Sequence, residues 1–565
     1  MAEQIFIWRI SLTRGKFKFL LLNFQNLSSL RLVVLSCLYF EIVLNFSLWR
    51  FAFSKIHINS AITLVFAVSL PAFIFFGLFS IFNALIWPYF YKTILILLIT
   101  VSCVANYVMF QYGVFIDSDM IRNLFQTNRR EALDYVNLSG ILWYLITGFF
   151  PSALIFKSKV VFKPLFKEAR DRFIYALICL FALSVLAATL YKEYAVFGRN
   201  NREVTRLINP TNYIFSAWRY FRLQALANKE FSPIDPDARL TPFEDDRFTV
   251  LVIIVGETAR SMSFALNGYN RPTNPRLINQ DIISFNDVTA SGTSTAVSLP
   301  AMFSHLGRDK FILNEAAFSE NIIDLISNSG YKVIWLENDN GCKSVCDRVN
   351  VRDMVTENNL KYCDGSYCFD EVMIDSLEKL LDQVHEDTVI ALHAIGSHGP
   401  SYYKRYPFEF KIFQPTCDTS EIQNCSINSI VNTYDNTIIY TDFIINRAID
   451  SLKKYPQFES GLIYISDHGE SLGENGIYLH GLPFRLAPDE QIKVPLIVWM
   501  SDAMKVYDNI DYNCLINRSA ESFSHDNLFH SLVGLLEINT KLYESNLDIF
   551  TPCRLKPLPK YLNDN

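Results

Sequence analysis

A surplus of charge of either sign is missing from this chain of 565 residues: 51 Lys and Arg face 57 Asp and Glu, for a formal net charge of −6. Without a basic excess to grip a phosphate backbone, nucleic acid is not an expected partner. Glycine and proline are scarce, at 21 each, which excludes collagen-like and low-complexity architectures. No Cys-x-x-Cys pair occurs, so a zinc ribbon is excluded too. What the chain has in plenty is apolar surface to bury, 50% of all residues, with 46 Phe and 28 Tyr among them.

Most of that surface falls before residue 191. Runs at Leu32–Phe51, Ile62–Ile86, Ile94–Tyr112, Leu138–Phe156 and Phe173–Leu190 each approach the ~20 apolar residues needed to cross ~30 Å of hydrocarbon. Five in series predict a polytopic membrane domain over 1–190. Glu41 interrupts the first run and must face other protein or an interface, because an ionised carboxylate in hydrocarbon is costly. Arg9, Arg14, Lys16, Lys18 and Arg31 precede the first span, and Lys157–Arg172 between spans four and five is again basic. The positive-inside rule therefore puts the N-terminus in the cytoplasm and delivers everything after about Tyr191 to the opposite side. No small-residue cleavage site follows a compact apolar run in the first ~30 residues, so the first span is expected to stay as an anchor.

Cysteine usage agrees. Cys37, Cys103 and Cys179 lie in spans, and the other eight lie beyond residue 340. Cys342 with Cys346, Cys363 with Cys368, and Cys417 with Cys425 are short-range pairs in polar loops, which in an exported domain read as disulfides. Cys514 and Cys553 form a conceivable fourth pair that nothing local supports. The linker 191–247 contains Asn212–Ala225, where aromatics and arginines recur at helical spacing, as in an interfacial helix or a plain amphipathic connector.

From 248 to 565 short apolar runs alternate with helical stretches: Phe248–Val255, Lys332–Leu336, Thr388–Leu392, Leu462–Ile465 and Val494–Trp499. The pattern predicts an α/β domain with its sheet covered on both faces, whose ligands bind beyond the C-terminal ends of the strands. Those ends carry Glu257, then His393 and His398, then Asp467 and His468, with His480 further on. Carboxylate and imidazole are the donors of a catalytic Zn²⁺ that keeps a position open. His393, directly after its strand, reads as a core or orienting residue. His305, His385, His525 and His530 have no matching context. In Ser291–Pro300 a hydroxyl at a helix start would lie where backbone N–H groups favour a phosphoryl anion, with Thr293, Ser294 and Thr295 as rivals for the nucleophile.

Val255–Arg260, Asn267–Thr273, Gly292–Ala296, Ser397–Pro400, Tyr434–Asn436 and Ser466–Gly476 together resemble the lipid A phosphoethanolamine transferases, which include the mobile colistin-resistance enzymes. The likeness runs almost end to end. It implies five spans before an alkaline-phosphatase/sulfatase-like periplasmic catalytic domain, in a multi-pass protein of the bacterial inner membrane. It implies Thr295 as the nucleophile, and Glu257, Thr295, Asp467 and His468 as ligands of one zinc ion. His398 and His480 would stand at a second metal position or on the substrate phosphate, where one of them would be the general acid, and Lys343 would help neutralise that phosphate. Asn123, Thr127 and Glu131, at i, i+4 and i+8, would share a helix face that receives the ethanolamine headgroup. The implied reaction moves phosphoethanolamine from phosphatidylethanolamine to lipid A or the lipopolysaccharide core through a phosphothreonine. It would lower envelope negative charge and confer polymyxin resistance, and a monomer would carry it out. Many relatives have a cysteine pair around the nucleophile; Ser291 and Ala301 stand there in this chain. A phosphoglycerol transferase or phosphodiesterase of the same fold is the alternative. Sulfate-ester hydrolysis is disfavoured because Ser298–Met302 lacks the arginine of Cys/Ser-x-Pro-x-Arg. A transporter or receptor is disfavoured by the few charges within the spans.

Overall fold

The structure is a computed structural model, and it describes residues 25–556 apart from 57, 128–131, 133–135, 227–230, 241–246, 366 and 421. The chain divides into two compact units, one holding residues up to Ser118 with Val136–Trp218, the other Asp119–Tyr135 with Arg219–Asn565.

In the first unit, helices Ala61–Leu85, Tyr91–Tyr112, Leu138–Lys157 and Leu165–Thr189 are long and apolar enough to cross a membrane. The first expected span, read as one rod, is instead a pair, Ser29–Leu44 and Phe46–Lys55, bent by 62°. Asn45 makes the break. Its backbone leaves the helical region, and its side-chain amide donates to the Phe40 carbonyl at 3.0 Å and the Asn209 carbonyl at 2.9 Å. Glu41 is buried at 7% exposure, in keeping with the cost of facing it to lipid. Inside the unit polar groups find one another: Ser47 Oγ lies 2.8 Å from Asn106 Oδ1, and Arg172 pairs with Glu168 at 3.0 Å. Cys37, Cys103 and Cys179 are free and buried.

The second unit is built on an eight-stranded sheet. Its strands are β1 (Thr249–Gly256), β2 (Ile282–Thr289), β3 (Lys332–Glu337), β4 (Asn350–Asp353), β5 (Thr388–His393), β6 (Glu459–Ser466), β7 (Lys493–Met500) and β8 (Ser522–Ser524). They run in the order β8-β2-β7-β6-β1-β5-β3-β4. From β6 through β1, β5 and β3 to β4 all pairings are parallel; β7 is antiparallel to both of its neighbours. The central strands are buried along almost their whole length, because helices cover both faces. One of these helices, Ile427–Leu452, begins at Ser426, whose side chain caps it.

Four disulfides tie the domain: the three expected pairs, and Cys514–Cys553, which joins helix Tyr512–Arg518 to the turn Thr551–Cys553. That fourth bond spans 39 residues and is brought together by the tertiary fold, so no local pattern announces it. Helix Thr211–Leu226 forms over the segment expected to be helical.

Candidate metal centre and nucleophile

Register sets the site. Val255 of β1 is paired with Ile465 of β6 on one side and with His393 of β5 on the other, and His393 is paired with Glu337 of β3. Four parallel strands therefore end level, and whatever follows each one projects over the same edge. Glu257 follows β1, Asp467 and His468 follow β6, and the loop Asn338–Lys343 follows β3. Gly396, in the turn after β5, has φ +48, and a Cβ there would meet the Glu257 carbonyl oxygen at 2.7 Å; only glycine lets that turn pass so close.

Glu257, Asp467 and His468 converge with no exposed surface, each offering a ligand atom within 4.8 Å of the others. His468 Nε2 lies 3.3 Å from Glu257 Oε1 and 3.4 Å from Asp467 Oδ2. All three atoms are buried without a hydrogen-bond partner. The other nitrogen of the ring, His468 Nδ1, is 2.9 Å from the Gly469 carbonyl, which holds the imidazole in place. Burial and the carboxylates of Asp467 and Asp339 push Glu257 well above the ordinary carboxylate range. Orphaned buried donor atoms and like charges crowded together fit a divalent cation, and the mixed N/O set fits zinc.

Thr295 is the first residue of helix Thr295–Met302, with Ser294 as its N-cap. Its Oγ1 donates to Glu257 Oε2 at 3.0 Å. Of the other two hydroxyls, Thr293 Oγ1 donates to the Leu482 carbonyl at 2.6 Å, and Ser294 makes no side-chain cap bond. Ser298 Oγ donates to the Asp467 carbonyl at 2.5 Å, tying the helix that begins at Thr295 to the loop that carries Asp467 and His468. His525 adds a second tie. Its Nδ1 accepts from the Ser291 backbone N–H and its Nε2 reaches the Ser466 carbonyl, both at 3.0 Å.

His480 stacks near His468 at 4.4 Å and near His398 at 5.8 Å between ring centres. The two histidines differ in environment. His480 Nδ1 lies 3.3 Å from the buried carboxylate of Glu470. His398 is buried, and desolvation, with Arg405 contributing, pulls it down to about 3 against the opposing pull of Asp339. Lys343 places its ammonium 2.6 Å from the Asn340 carbonyl.

The segment between spans three and four belongs to the same unit. A methyl added at Gly481 would meet Met120 Cε at 3.7 Å, which sets helix Ser118–Gln126 beside His480. Asn123 Oδ1 is buried without a partner, and the Asn123 carbonyl accepts from Thr127 Oγ1 at 2.8 Å. Glu131 lies outside the described residues. The Phe125 ring stacks on Tyr220, 5.5 Å between centres.

Sequence reasoning passed over Glu470 and Glu337, the carboxylates behind the histidines. The signals were present: Glu470 follows His468 by two residues, and Glu337 breaks an apolar strand at its last position.

A sheet with two carboxylates, an imidazole and a helix-start hydroxyl gathered beyond its parallel strand ends defines a sulfatase-type domain, and residues 249–538 match the Sulfatase family model. Residues 74–225 match the model described as phosphoethanolamine transferase EptA/EptB. The chain is 38% identical to phosphoethanolamine transferase EptA of Salmonella typhimurium, over 92% of this chain and 96% of that protein. It is 35% identical to phosphatidylethanolamine transferase Mcr-1 of Escherichia coli, over 76% and 82% respectively. The integral membrane lipooligosaccharide phosphoethanolamine transferase A of Neisseria meningitidis superposes with a TM-score of 0.91 at 34% identity, over 94% of this chain and 99% of that one. The chain belongs to the EptA/EptB phosphoethanolamine transferase family.

Proposed function

We propose that this protein moves phosphoethanolamine from phosphatidylethanolamine onto lipid A or the lipopolysaccharide core, by way of a phosphothreonine at Thr295, in the inner membrane of a bacterium. Family membership supports the group transferred. The Mcr-1 relative is a phosphatidylethanolamine transferase, which supports the donor, and the Neisseria neighbour acts on lipooligosaccharide, which supports the acceptor class. The N-terminus is cytoplasmic, and the domain 248–565 stands on the periplasmic side together with the segment between spans three and four.

The observation that carries the reading is the 3.0 Å bond from Thr295 Oγ1 to Glu257 Oε2, beside the Glu257, Asp467 and His468 cluster. One zinc ion held by Glu257, Thr295, Asp467 and His468 would lower the pKa of the hydroxyl and stabilise charge on the phosphoryl oxygens. Thr295 attacks phosphorus as its proton passes toward Glu257; the bond to the diacylglycerol oxygen breaks, and that oxygen takes a proton. His480 is the donor, because the Glu470 carboxylate 3.3 Å from its Nδ1 orients the ring, whereas burial pulls His398 down to about 3. In the second step the acceptor oxygen attacks phosphorus and gives its proton to His480, the bond from phosphorus to Thr295 breaks, and Thr295 Oγ1 takes back the proton from Glu257. Lys343 and His398 contact the phosphate, and Asn123 on helix Ser118–Gln126, Thr127 one residue past the end of that helix, and Glu131 receive the ethanolamine ammonium. Every group named comes from one chain, so a monomer is sufficient.

Intact-mass measurement after incubation with phosphatidylethanolamine is the test. The expected result is a single phosphoethanolamine adduct on the wild type and none on Thr295→Ala; an adduct of equal yield on the variant rejects the phosphothreonine.

A further inference from the structure

Glu257 belongs to a second cluster that the reaction just described does not use. Glu257, Asp339 and His393 each offer a ligand atom, all within 4.8 Å of one another. The three come from three neighbouring strands, and the register that pairs Glu337 with His393 and His393 with Val255 is what delivers them to one place.

The imidazole of His393 is held as a metal ligand is held. It is completely buried, and its Nδ1 faces both oxygens of Glu337, at 2.9 and 3.0 Å. Glu337 is itself fixed by the Trp335 indole N–H at 2.9 Å and by the backbone N–H groups of Asp339 at 2.9 Å and Gly341 at 3.1 Å. A carboxylate behind a histidine sets the ring and raises the basicity of its other nitrogen. That nitrogen, Nε2, is buried with no hydrogen-bond partner. Asp339 Oδ1 and Glu257 Oε1 are likewise buried and unpartnered. Three orphaned donor atoms on three residues, one of them on an imidazole with its orienting carboxylate already in place, are more than a chance cluster of acids.

We infer that Glu257, Asp339 and His393 form a second divalent-cation site, adjoining the first and sharing Glu257 with it. The inference rests on the first site proposed above. One imidazole nitrogen with two carboxylates suits Zn²⁺ or Mn²⁺ better than Mg²⁺ or Ca²⁺, which take oxygen ligands. Three protein ligands leave a coordination position open toward the substrate. A shared carboxylate is the arrangement by which two cations can act on one phosphoryl group. The site differs from a second position built on His398 and His480: it uses neither.

Metal counting decides. The full-length protein in detergent is stripped with a chelator, re-equilibrated with Zn²⁺ and freed of excess, and zinc per chain is measured by plasma mass spectrometry, with thermal melts to confirm folding. The wild type is expected to hold two ions; Asp339→Asn and His393→Gln one each; His468→Ala one; and Asp339→Asn combined with His468→Ala none. Asp339→Asn keeps the volume of a partly exposed side chain, so it is the variant least able to disturb folding. A loss in either Asp339→Asn or His393→Gln supports the site, and retention of the wild-type count in both overturns it. A wild type that holds one ion, lost in His468→Ala, also overturns it while leaving the proposed function intact. A count unaffected by His468→Ala removes the first site instead, a different failure.

Discussion

The hydroxyl of Thr295 donates to Glu257 Oε2 while Glu257 Oε1 lies 3.3 Å from His468 Nε2, so a single carboxylate joins Thr295 to His468. Thr295→Ser keeps the oxygen and is expected to retain measurable transfer. Thr295→Ala is expected to fall to the background of modified lipid A, while its zinc content stays close to the wild-type value. Mass spectrometry of lipid A from expressing cells reads the first, metal analysis the second; wild-type transfer by the alanine variant would sink the mechanism.

In the proposed mechanism Glu470 acts through His480, and the pair should fail together. His480→Ala is expected to lower kcat by about 10²–10⁴-fold, the usual contribution of a proton-transferring group. Glu470→Gln should lower kcat by less, with KM little changed. The double variant should be no worse than His480→Ala alone, since the carboxylate has nothing left to support. Multiplicative losses measured in steady-state assays with a fluorescent phosphatidylethanolamine would separate the two residues.

Chelation should destabilise the exported domain. Glu257, Asp339 and Asp467 crowd three carboxylates whose charge a bound cation would offset, and a ligand at a hundred times its Kd contributes about 2.7 kcal/mol to the folded state. The expected outcome is a lower melting temperature in chelator, restored by Zn²⁺, with a smaller shift in His468→Ala. An identical melt with and without chelator would show that no structural cation is held.

Disulfide removal should scale with the loop each bond closes. For the 39-residue separation of Cys514 and Cys553 the chain-entropy estimate is about 4 kcal/mol, against about 2 kcal/mol for Cys363 and Cys368, five residues apart. Paired serine variants compared by denaturant unfolding should rank in that order. The reverse ranking would mean that the short bond holds local packing rather than restraining the unfolded chain.

The spans could be read because a series of runs of about 20 apolar residues matches the thickness of hydrocarbon and little else. Strands β1, β5 and β6 could be read because strands buried on both faces are apolar throughout. Strand β2 escaped: Ile-Ile-Ser-Phe-Asn-Asp-Val-Thr alternates buried and partly exposed positions and makes no continuous run. Asn45 escaped too, since a break in an apolar run shows its bend only once its amide finds Asn209 far along the chain. Of the site, Glu257, Asp467 and His468 were legible as polar residues just beyond apolar strands. Asp339 and His393 were not, because only the lateral order of β3, β5 and β1 makes them neighbours, and periodicity along a chain carries no record of which strands lie side by side.

Helix Ser118–Gln126 is encoded between two membrane spans yet belongs to the globular unit, where Arg122 donates to Asn314 and Phe125 stacks on Tyr220. Cutting the gene after the last span would therefore remove a helix that packs beside Gly481, even though the shortened polypeptide kept Glu257, Asp467 and His468. Inhibitors screened on such a fragment would meet bare the surface around Gly481 that this helix covers in the whole chain.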